Sequence, residues 1–305
     1  MRILVTGGAG FIGSHVTKQL IDKGHEVVVY DNLSRGFKEL IDTRAIFIQG
    51  SVLDKGELTK ALGGIDAVIH MAAFIIVPES VEKPDLYWEN NVVGTQVLLE
   101  AMRTANVKKI IFSSSACVYG KPDKLPVTED SSIKKAENPY GQTKIEMEKL
   151  IEAENKERGL SAIILRYFNP YGPNELHKPE THAIPNFITA TLEKRSIPLY
   201  WKGEQIRDFI YVEDLAAAHI APLTLDGFSV FNVGTGFGTK VADIVWKIFE
   251  IVGYEVPIED LGKRSGDVAE NYTSSGKIEK ELGWRAEVSL GEGLKRTIEF
   301  FRSRR

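Results

Sequence analysis

The sequence has a single cysteine, no dense cluster of positive charge and no long hydrophobic run, and each absence excludes a class of protein. Cys117 alone forms neither an internal disulfide nor a cysteine-based zinc site, so no metal centre is expected. No apolar segment reaches the ~20 residues of a membrane-spanning helix. The apolar segment at residues 3–5 is too short for a signal-peptide core. Scarce cysteine favours a reducing compartment, so we expect a cytoplasmic protein without a membrane partner.

Charge and composition narrow the class further. The formal net charge is −4, and the only concentrated basic segment is the tail at residues 302–305. A nucleic-acid-binding surface is therefore not expected. The chain has 305 residues, of which 43% are hydrophobic, and this suits a soluble globular protein with one large core or two linked cores.

Short apolar segments alternate with helical patterns up to residue 168. The patterns predict strands at residues 2–6, 26–30, 45–49, 67–70, 109–113 and 162–168. They predict helices at residues 11–23, 54–62, 85–105 and 139–158. The alternation is typical of parallel β-α-β units, so we expect an α/β fold with a doubly wound parallel sheet.

After residue 168 the pattern changes. Residues 169–185 contain several prolines and little periodicity, which predicts a loop that lines a cleft. Helices are predicted at residues 185–194, 212–225, 240–252 and 290–302, with shorter strands between them. This part is expected to form a smaller mixed α/β domain over the carboxyl ends of the sheet, where open α/β folds bind ligands.

A glycine-rich turn lies between the first predicted strand and the first predicted helix. Gly7, Gly10 and Gly13 would let the backbone turn tightly and approach a pyrophosphate at the helix N-terminus, as in a Rossmann fold. Asp31 ends the next strand, where its carboxylate can accept hydrogen bonds from ribose hydroxyls and repel a 2′-phosphate. The pattern therefore favours NAD over NADP. The alternative is an ordinary strand-to-helix turn followed by a capping aspartate.

Tyr140 and Lys144 are four residues apart on a predicted helix, so their side chains lie on one face. A free phenol has a pKa of ~10 and is a poor base at neutral pH. An ammonium ~4 Å away, at an effective dielectric of ~20, would lower that pKa by roughly 3 units. Ser115 ends a strand and could bond the reacting hydroxyl. The alternative is a surface tyrosine and lysine on a polar helix.

These residues make the chain resemble the extended short-chain dehydrogenase/reductase family, and within it the UDP-galactose 4-epimerases (UDP-glucose 4-epimerases). The resemblance spans nearly the whole chain. It rests on the segments Thr6–Ser14, Asp31–Leu33, His70–Ala73, Asn90–Val92, Ser113–Gly120, Pro139–Lys144, Arg166–Pro170, Arg207–Val212 and Arg264–Asp267.

The resemblance implies a role for each matching residue. The catalytic residues would be Ser115, Tyr140 and Lys144. NAD would be bound by Gly7, Gly10, Phe11, Ile12, Gly13, Asp31, Asn32, Ser34, Gly36, Ser51, Val52, Ala72, Ala73, Asn90, Ser113, Tyr140, Lys144 and Phe168. The UDP-sugar would be bound by Ser115, Tyr140, Asn169, Tyr200, Arg207, Arg264, Asp267 and Asn271, with the planar arginine side chains suited to a diphosphate. Taken singly, either arginine could instead be a surface salt-bridge partner.

The resemblance also implies a division into domains and an assembly. Residues 1–168, with about 206–235, would form the NAD-binding Rossmann domain, and residues 169–205 with 236–305 the nucleotide-sugar-binding domain. The helices at 85–105 and 139–158 would pair in a four-helix bundle of a homodimer, with apolar contacts from Ile145, Met147, Leu150 and Ile151. The alternative is that these helices simply pack against the sheet.

The sequence departs from the epimerase pattern at three positions. Ser51 stands where many epimerases carry an aspartate near the adenine, and Ile75 where some place a lysine by the cofactor. Both changes would loosen NAD binding. Asn271 replaces a tyrosine found in some epimerases, so the site is expected to admit UDP-GlcNAc or UDP-GalNAc as well.

The predicted activity is NAD-dependent 4-epimerisation of a UDP-hexose, from UDP-galactose to UDP-glucose, through a 4-keto sugar. Dehydratases of this family need an acid and a base after the serine-rich strand end, where this chain has Ala116 and Cys117. A UDP-glucuronate 4-epimerase and a reductase that exchanges its cofactor remain alternatives. A non-enzymatic NAD-binding regulator is disfavoured, because such proteins commonly lose the tyrosine or the lysine.

Overall fold

The computed structural model describes residues 1–176, 182–263 and 268–304. The strands are β1 (Arg2–Thr6), β2 (Glu26–Asp31), β3 (Ile46–Gln49), β4 (Ala67–His70), β5 (Lys109–Ser115), β6 (Ser161–Tyr167), β7 (Asn169–Tyr171), β8 (Ile197–Leu199), β9 (Ile206–Arg207), β10 (Phe209–Tyr211), β11 (Phe228–Val233), β12 (Thr239–Lys240), β13 (Ile258–Asp260) and β14 (Glu270–Asn271). The α-helices are α1 (Phe11–Asp22), α2 (Lys55–Ala61), α3 (Val77–Glu82), α4 (Pro84–Tyr87), α5 (Gly94–Thr104), α6 (Pro139–Arg158), α7 (Ala183–Leu192), α8 (Val212–Ile220), α9 (Val241–Val252), α10 (Gly276–Leu282) and α11 (Leu290–Ser303).

The largest sheet confirms the predicted doubly wound architecture. Within the described ranges it has seven strands, all parallel, in the order β11-β6-β5-β4-β1-β2-β3. The chain runs outward from β1 to β3 and then crosses back to β4 on the other side of β1. The loops that follow β1, β2 and β4 therefore meet at one crevice, which is where such folds bind ligands.

Helices cover both faces of this sheet, and this explains the apolar run at residues 3–5 of β1. Successive side chains of a strand point to opposite faces. Ile3 and Val5 pack in a cluster that includes Leu20 of α1, and Leu4 packs on the other face in a cluster that includes Leu98 of α5. A strand that is buried on both faces carries a continuous hydrophobic run instead of an alternating pattern.

Helix α6 has the bounds that the sequence predicts, and local signals explain them. The Asn138 side chain accepts a hydrogen bond from the backbone N–H of Gly141 at 2.9 Å, and Pro139 occupies the first turn. Gly159 ends the helix in the left-handed conformation, with φ of 69°. The predicted helix at 85–105 is also confirmed in extent, since α4, a π-helical turn at Trp88–Val93 and α5 follow one another without a break.

Several local predictions are wrong. Residues 169–185 are not a plain loop, because Asn169–Tyr171 form β7, which pairs in parallel with β10. Helix α7 begins at Ala183 instead of residue 185, and the short helices α3 and α10 were not predicted. A three-residue strand depends on a partner far along the chain, and short helices carry too few turns for a periodic pattern.

The apolar residues of α6 that were expected at a dimer interface lie inside the protein. Met147 and Ile151 are fully buried in the cluster on the α5 side of the sheet, and Leu150 packs against the same cluster. Ile145 is buried beside Val118 and Phe168. These four side chains hold α6 to the sheet and are not available to a dimer interface, while the four-helix bundle itself stays a prediction.

Another apolar cluster lies outside the two faces of the sheet. It contains buried residues of α7, α9 and α11, among them Ile188, Ile248 and Ile298. Tyr171 of β7 and Tyr211 of β10 belong to it as well, so this cluster is joined to the strand pair that follows the main sheet. Over the described ranges, no helix has the length and apolarity needed to cross a membrane.

Candidate active site

A cavity of about 800 Å³ lies at the carboxyl ends of the parallel strands. Its walls come from the loops after β1, β2 and β4, from the ends of β5 and β6, and from the start of α7. A concave site of this size, with apolar walls and a few polar groups, is typical of a small-molecule or cofactor site.

The glycine turn after β1 is tightly packed in a way that only glycine permits. Gly7 has φ of +74°, and a Cβ there would lie 2.8 Å from the backbone nitrogen of Ala72. A Cβ at Gly13 would lie 2.2 Å from the carbonyl oxygen of Gly7. Helix α1 begins directly after this turn with no acidic residue in its first turn. The positive end of the helix dipole therefore faces the cavity wall without a negative side chain, which suits a pyrophosphate.

Asp31 is held at the end of β2 with a defined orientation. Its carboxylate accepts hydrogen bonds from the backbone N–H groups of Ala9, at 3.1 Å, and Leu33, at 2.8 Å. Burial raises the pKa of Asp31, and these two hydrogen bonds oppose that rise. The glycine turn, the helix start and this carboxylate together fit an NAD molecule.

Tyr140 lies in the same cavity as the glycine turn. Ser115, at the end of β5, lines this cavity as well. Burial raises the pKa of Tyr140 well above its usual value. We expected Lys144 to lower this pKa. In the protein without NAD the pKa is raised instead, because desolvation of the phenolate dominates.

Lys144 lies one helical turn beyond Tyr140 and is almost fully buried. Its Nζ donates to the carbonyl oxygen of Ser113 at 2.8 Å and lies 5.0 Å from the centre of the Phe112 ring. Burial lowers the pKa of Lys144 to about 8, against a rise from the nearby Cys117 and Glu148. Lys144 therefore acts from behind the cavity wall, close to the strand end that carries Ser115.

Two hydrogen-bonded groups hold this part of the site, and the sequence patterns did not reveal either. Arg166 of β6 donates to both carboxylate oxygens of Glu148 on α6, at 2.9 Å and 2.6 Å, and Ser114 also donates to Glu148. The Ser113 hydroxyl lies 2.7 Å from Nε2 of His219, whose Nδ1 faces the carbonyl oxygen of Leu215. Charged and polar partners this far apart in sequence meet only in the folded chain.

Most of the residues predicted from the resemblance line the cavity. Those that do are Gly7, Gly10, Phe11, Ile12, Gly13, Asp31, Asn32, Ser34, Gly36, Val52, Ala72, Ala73, Asn90, Ser115, Tyr140, Phe168, Asn169, Tyr200 and Arg207. Ser51, Ser113, Lys144 and Asn271 are not among the lining residues. Arg264 and Asp267 lie outside the described residues.

The cavity wall also contains residues that sequence reasoning missed. Tyr167, the last residue of β6, precedes the predicted Phe168, and Phe74 follows the predicted Ala73. Arg35 lies in the loop after β2, while Glu175 and His182 are hydrogen-bonded, with an N–O distance of 2.7 Å. Tyr167 and Phe74 could have been found in the sequence because each is next to a motif residue. No sequence signal indicated Glu175 and His182.

The fold and the site define a dinucleotide-dependent enzyme of the α/β class. The model of the NAD-dependent epimerase/dehydratase family matches residues 3–234. The chain therefore belongs to that family, as the motifs predicted.

Individual relatives agree with this assignment over nearly their full length. A UDP-glucose 4-epimerase of Lactobacillus helveticus is 40% identical over 304 residues, which cover 93% of this chain and 92% of that protein. The crystal structure of the Thermotoga maritima UDP-glucose 4-epimerase with UDP-glucose is 38% identical, with a TM-score of 0.95 and coverage of 100% and 99% of the two chains. The Brucella ovis UDP-glucose 4-epimerase in complex with NAD is 38% identical, with a TM-score of 0.92 and coverage of 98% of each chain.

Proposed function

We propose that this protein is an NAD-dependent 4-epimerase that interconverts UDP-galactose and UDP-glucose. The observation that carries the proposal is the presence of Tyr140 and Ser115 in the same cavity as the glycine turn. The similarity to UDP-glucose 4-epimerases over nearly the whole chain supports it.

Tyr140, Ser115 and Lys144 have different roles in the transfer of the proton of the sugar C4 hydroxyl. Tyr140 accepts the proton of the sugar C4 hydroxyl and later returns it, and Ser115 orients that hydroxyl by hydrogen bonding. Lys144 contributes positive charge and holds the end of β5 through its bond to Ser113. A bound NAD would supply the acceptor for the C4 hydride and the donor that returns the hydride to the opposite face of the keto sugar. Because burial favours the neutral phenol of Tyr140, the positive nicotinamide is expected to contribute to its ionisation.

The environment after Ser115 argues against dehydration of the keto sugar. Elimination needs a proton donor and a base next to the sugar. Ala116 carries no ionisable group, and burial raises the pKa of the Cys117 thiol to about 11. With no proton carrier at these positions, return of the hydride is the simplest fate of the keto sugar.

The substrate's UDP part is assigned to the far side of the cavity. Asn169, Tyr200 and Arg207 line this side, and the Arg207 guanidinium suits a diphosphate. The apolar cluster of α7, α9 and α11 supports the division of the chain into an NAD-binding part, residues 1–168 with about 206–235, and a nucleotide-sugar-binding remainder.

A homodimer in the cytoplasm is the assembly we propose, with the family's four-helix bundle as the interface. Exposed apolar side chains along the α3–α5 stretch support it, since Val81 is 62% and Trp88 45% exposed. Light scattering at micromolar concentration tests this proposal, and a monomer would contradict it.

The test of the activity begins with purified protein, no added cofactor and UDP-galactose. Formation of UDP-glucose is followed by chromatography, in parallel with Tyr140→Phe. Turnover that disappears in the variant supports a 4-epimerase with its own bound NAD. Turnover only with added NAD would indicate loose cofactor binding. Absence of turnover even then would favour one of three alternatives: the UDP-glucuronate epimerase, the reductase or the non-enzymatic regulator. Assays with UDP-glucuronate and with NADH would distinguish among these three.

A further inference from the structure

The two loops beside the glycine turn are joined across it by an ion pair. Because β1 lies between β2 and β4 in the sheet, the loops after β2 and β4 flank the turn that follows β1. Arg35 belongs to the loop after β2, and Glu79 belongs to α3, which follows the β4 loop. One terminal nitrogen of Arg35 donates to both carboxylate oxygens of Glu79, at 2.7 Å and 2.6 Å.

Neighbouring side chains hold both ends of this bridge. The Arg35 guanidinium lies 5.1 Å from the centre of the Phe74 ring, a cation–π distance. The Tyr87 hydroxyl lies 3.1 Å from the Glu79 carboxylate and 2.8 Å from the carbonyl oxygen of Ile76, which share its one donor hydrogen. The Glu79 side chain is only 16% exposed, so the pair is less screened by water than an ordinary surface pair. Arg35 lowers the pKa of Glu79 by hydrogen bonding, so the carboxylate stays charged.

The inner side of the bridge faces the cavity that fits NAD. Arg35, Phe74 and Tyr87 all line that cavity. Ser51, by contrast, does not line the cavity, and its hydroxyl accepts a hydrogen bond from the backbone N–H of Leu53.

We propose that the Arg35–Glu79 bridge closes the cleft over the glycine turn and slows the release of NAD. The inference rests on the proposed function only for the identity of the dinucleotide. It makes Arg35 and Glu79 positioning residues, because they act by holding two loops together and need not touch the reacting atoms.

The test measures the release of NAD from the purified holoenzyme. Released NAD is captured by an excess of an alcohol dehydrogenase with ethanol, and the rise in NADH absorbance gives the rate. Arg35→Gln and Glu79→Gln are each expected to accelerate release about five- to tenfold, the effect of one partly buried charge-assisted pair. The charge-swapped double variant Arg35→Glu with Glu79→Arg is expected to restore slow release.

Lys83→Met is the matched control. Lys83 also pairs with Glu79, at 3.5 Å, but it follows α3 on the same side of the cleft and its side chain is 58% exposed. This variant is expected to release NAD at the unaltered rate. Release from Arg35→Gln and Glu79→Gln within twofold of the unaltered protein, at unchanged thermal unfolding temperature, would overturn the inference. A protein that retains NAD through the bridge but epimerises no UDP-sugar would overturn the proposed function alone, and one that binds no NAD would overturn both.

Discussion

Replacement of Glu148 by glutamine is expected to destabilise the protein far more than the loss of a surface carboxylate. The Glu148 and Arg166 side chains are each 6% exposed and lie 2.6 Å apart. Removing one charge of such a pair leaves the other buried without compensation, which costs about 3–5 kcal/mol of unfolding free energy. The surface pair Glu57–Lys60 has side chains that are 54% and 74% exposed, so Glu57→Gln should cost about 0.2–1 kcal/mol.

Urea unfolding followed by circular dichroism compares the two variants with the unaltered protein. The reasoning predicts a large shift of the midpoint for Glu148→Gln and a small one for Glu57→Gln. Equal shifts would show that the Glu148–Arg166 pair is not isolated from water and would refute the argument. Glu148 is also one of the groups that raise the pKa of Lys144, so the variant's pH–rate profile should move to lower pH.

Three further predictions concern the cofactor turn, the lysine and the sugar pocket. Gly13→Ala should abolish NAD binding measured by calorimetry, because its Cβ would lie 2.2 Å from a backbone oxygen. The control Gly56→Ala, whose Cβ would have its nearest contact at 3.5 Å, should bind NAD normally. Burial lowers the pKa of Lys144 from 10.5 to about 8, so the unfolded chain binds more protons than the folded protein between these pH values. The free energy of unfolding should therefore rise with pH across that window. This rise should be absent in Lys144→Met. Asn271 does not line the cavity, and only the resemblance implies that it stands where some epimerases have a larger tyrosine near the sugar. On that basis we expect UDP-GlcNAc to be turned over, and Asn271→Tyr to remove that activity while UDP-glucose is still used. Failure of the unaltered protein on UDP-GlcNAc beside good turnover of UDP-glucose would contradict this.

The sequence by itself determined the features that depend on local patterns. The helix that carries Tyr140 and Lys144 was predictable because Asn138, Pro139 and Gly159 set its ends within the segment itself. The glycine turn and the aspartate at the end of β2 were also predictable, because the residues of this cofactor-binding motif lie at a characteristic spacing along the chain. The motif segments together were specific enough to indicate the family.

Only the tertiary structure decided which charged groups meet and how water is excluded from them. Arg35 and Glu79 are separated by 44 positions, and no periodic pattern links them; the order of strands in the sheet brings their loops together. Sequence reasoning predicted a lowered pKa for Tyr140 from its spacing to Lys144, yet burial raises it. Desolvation depends on everything packed around a group, and that packing exists only once the distant segments of the chain have folded together.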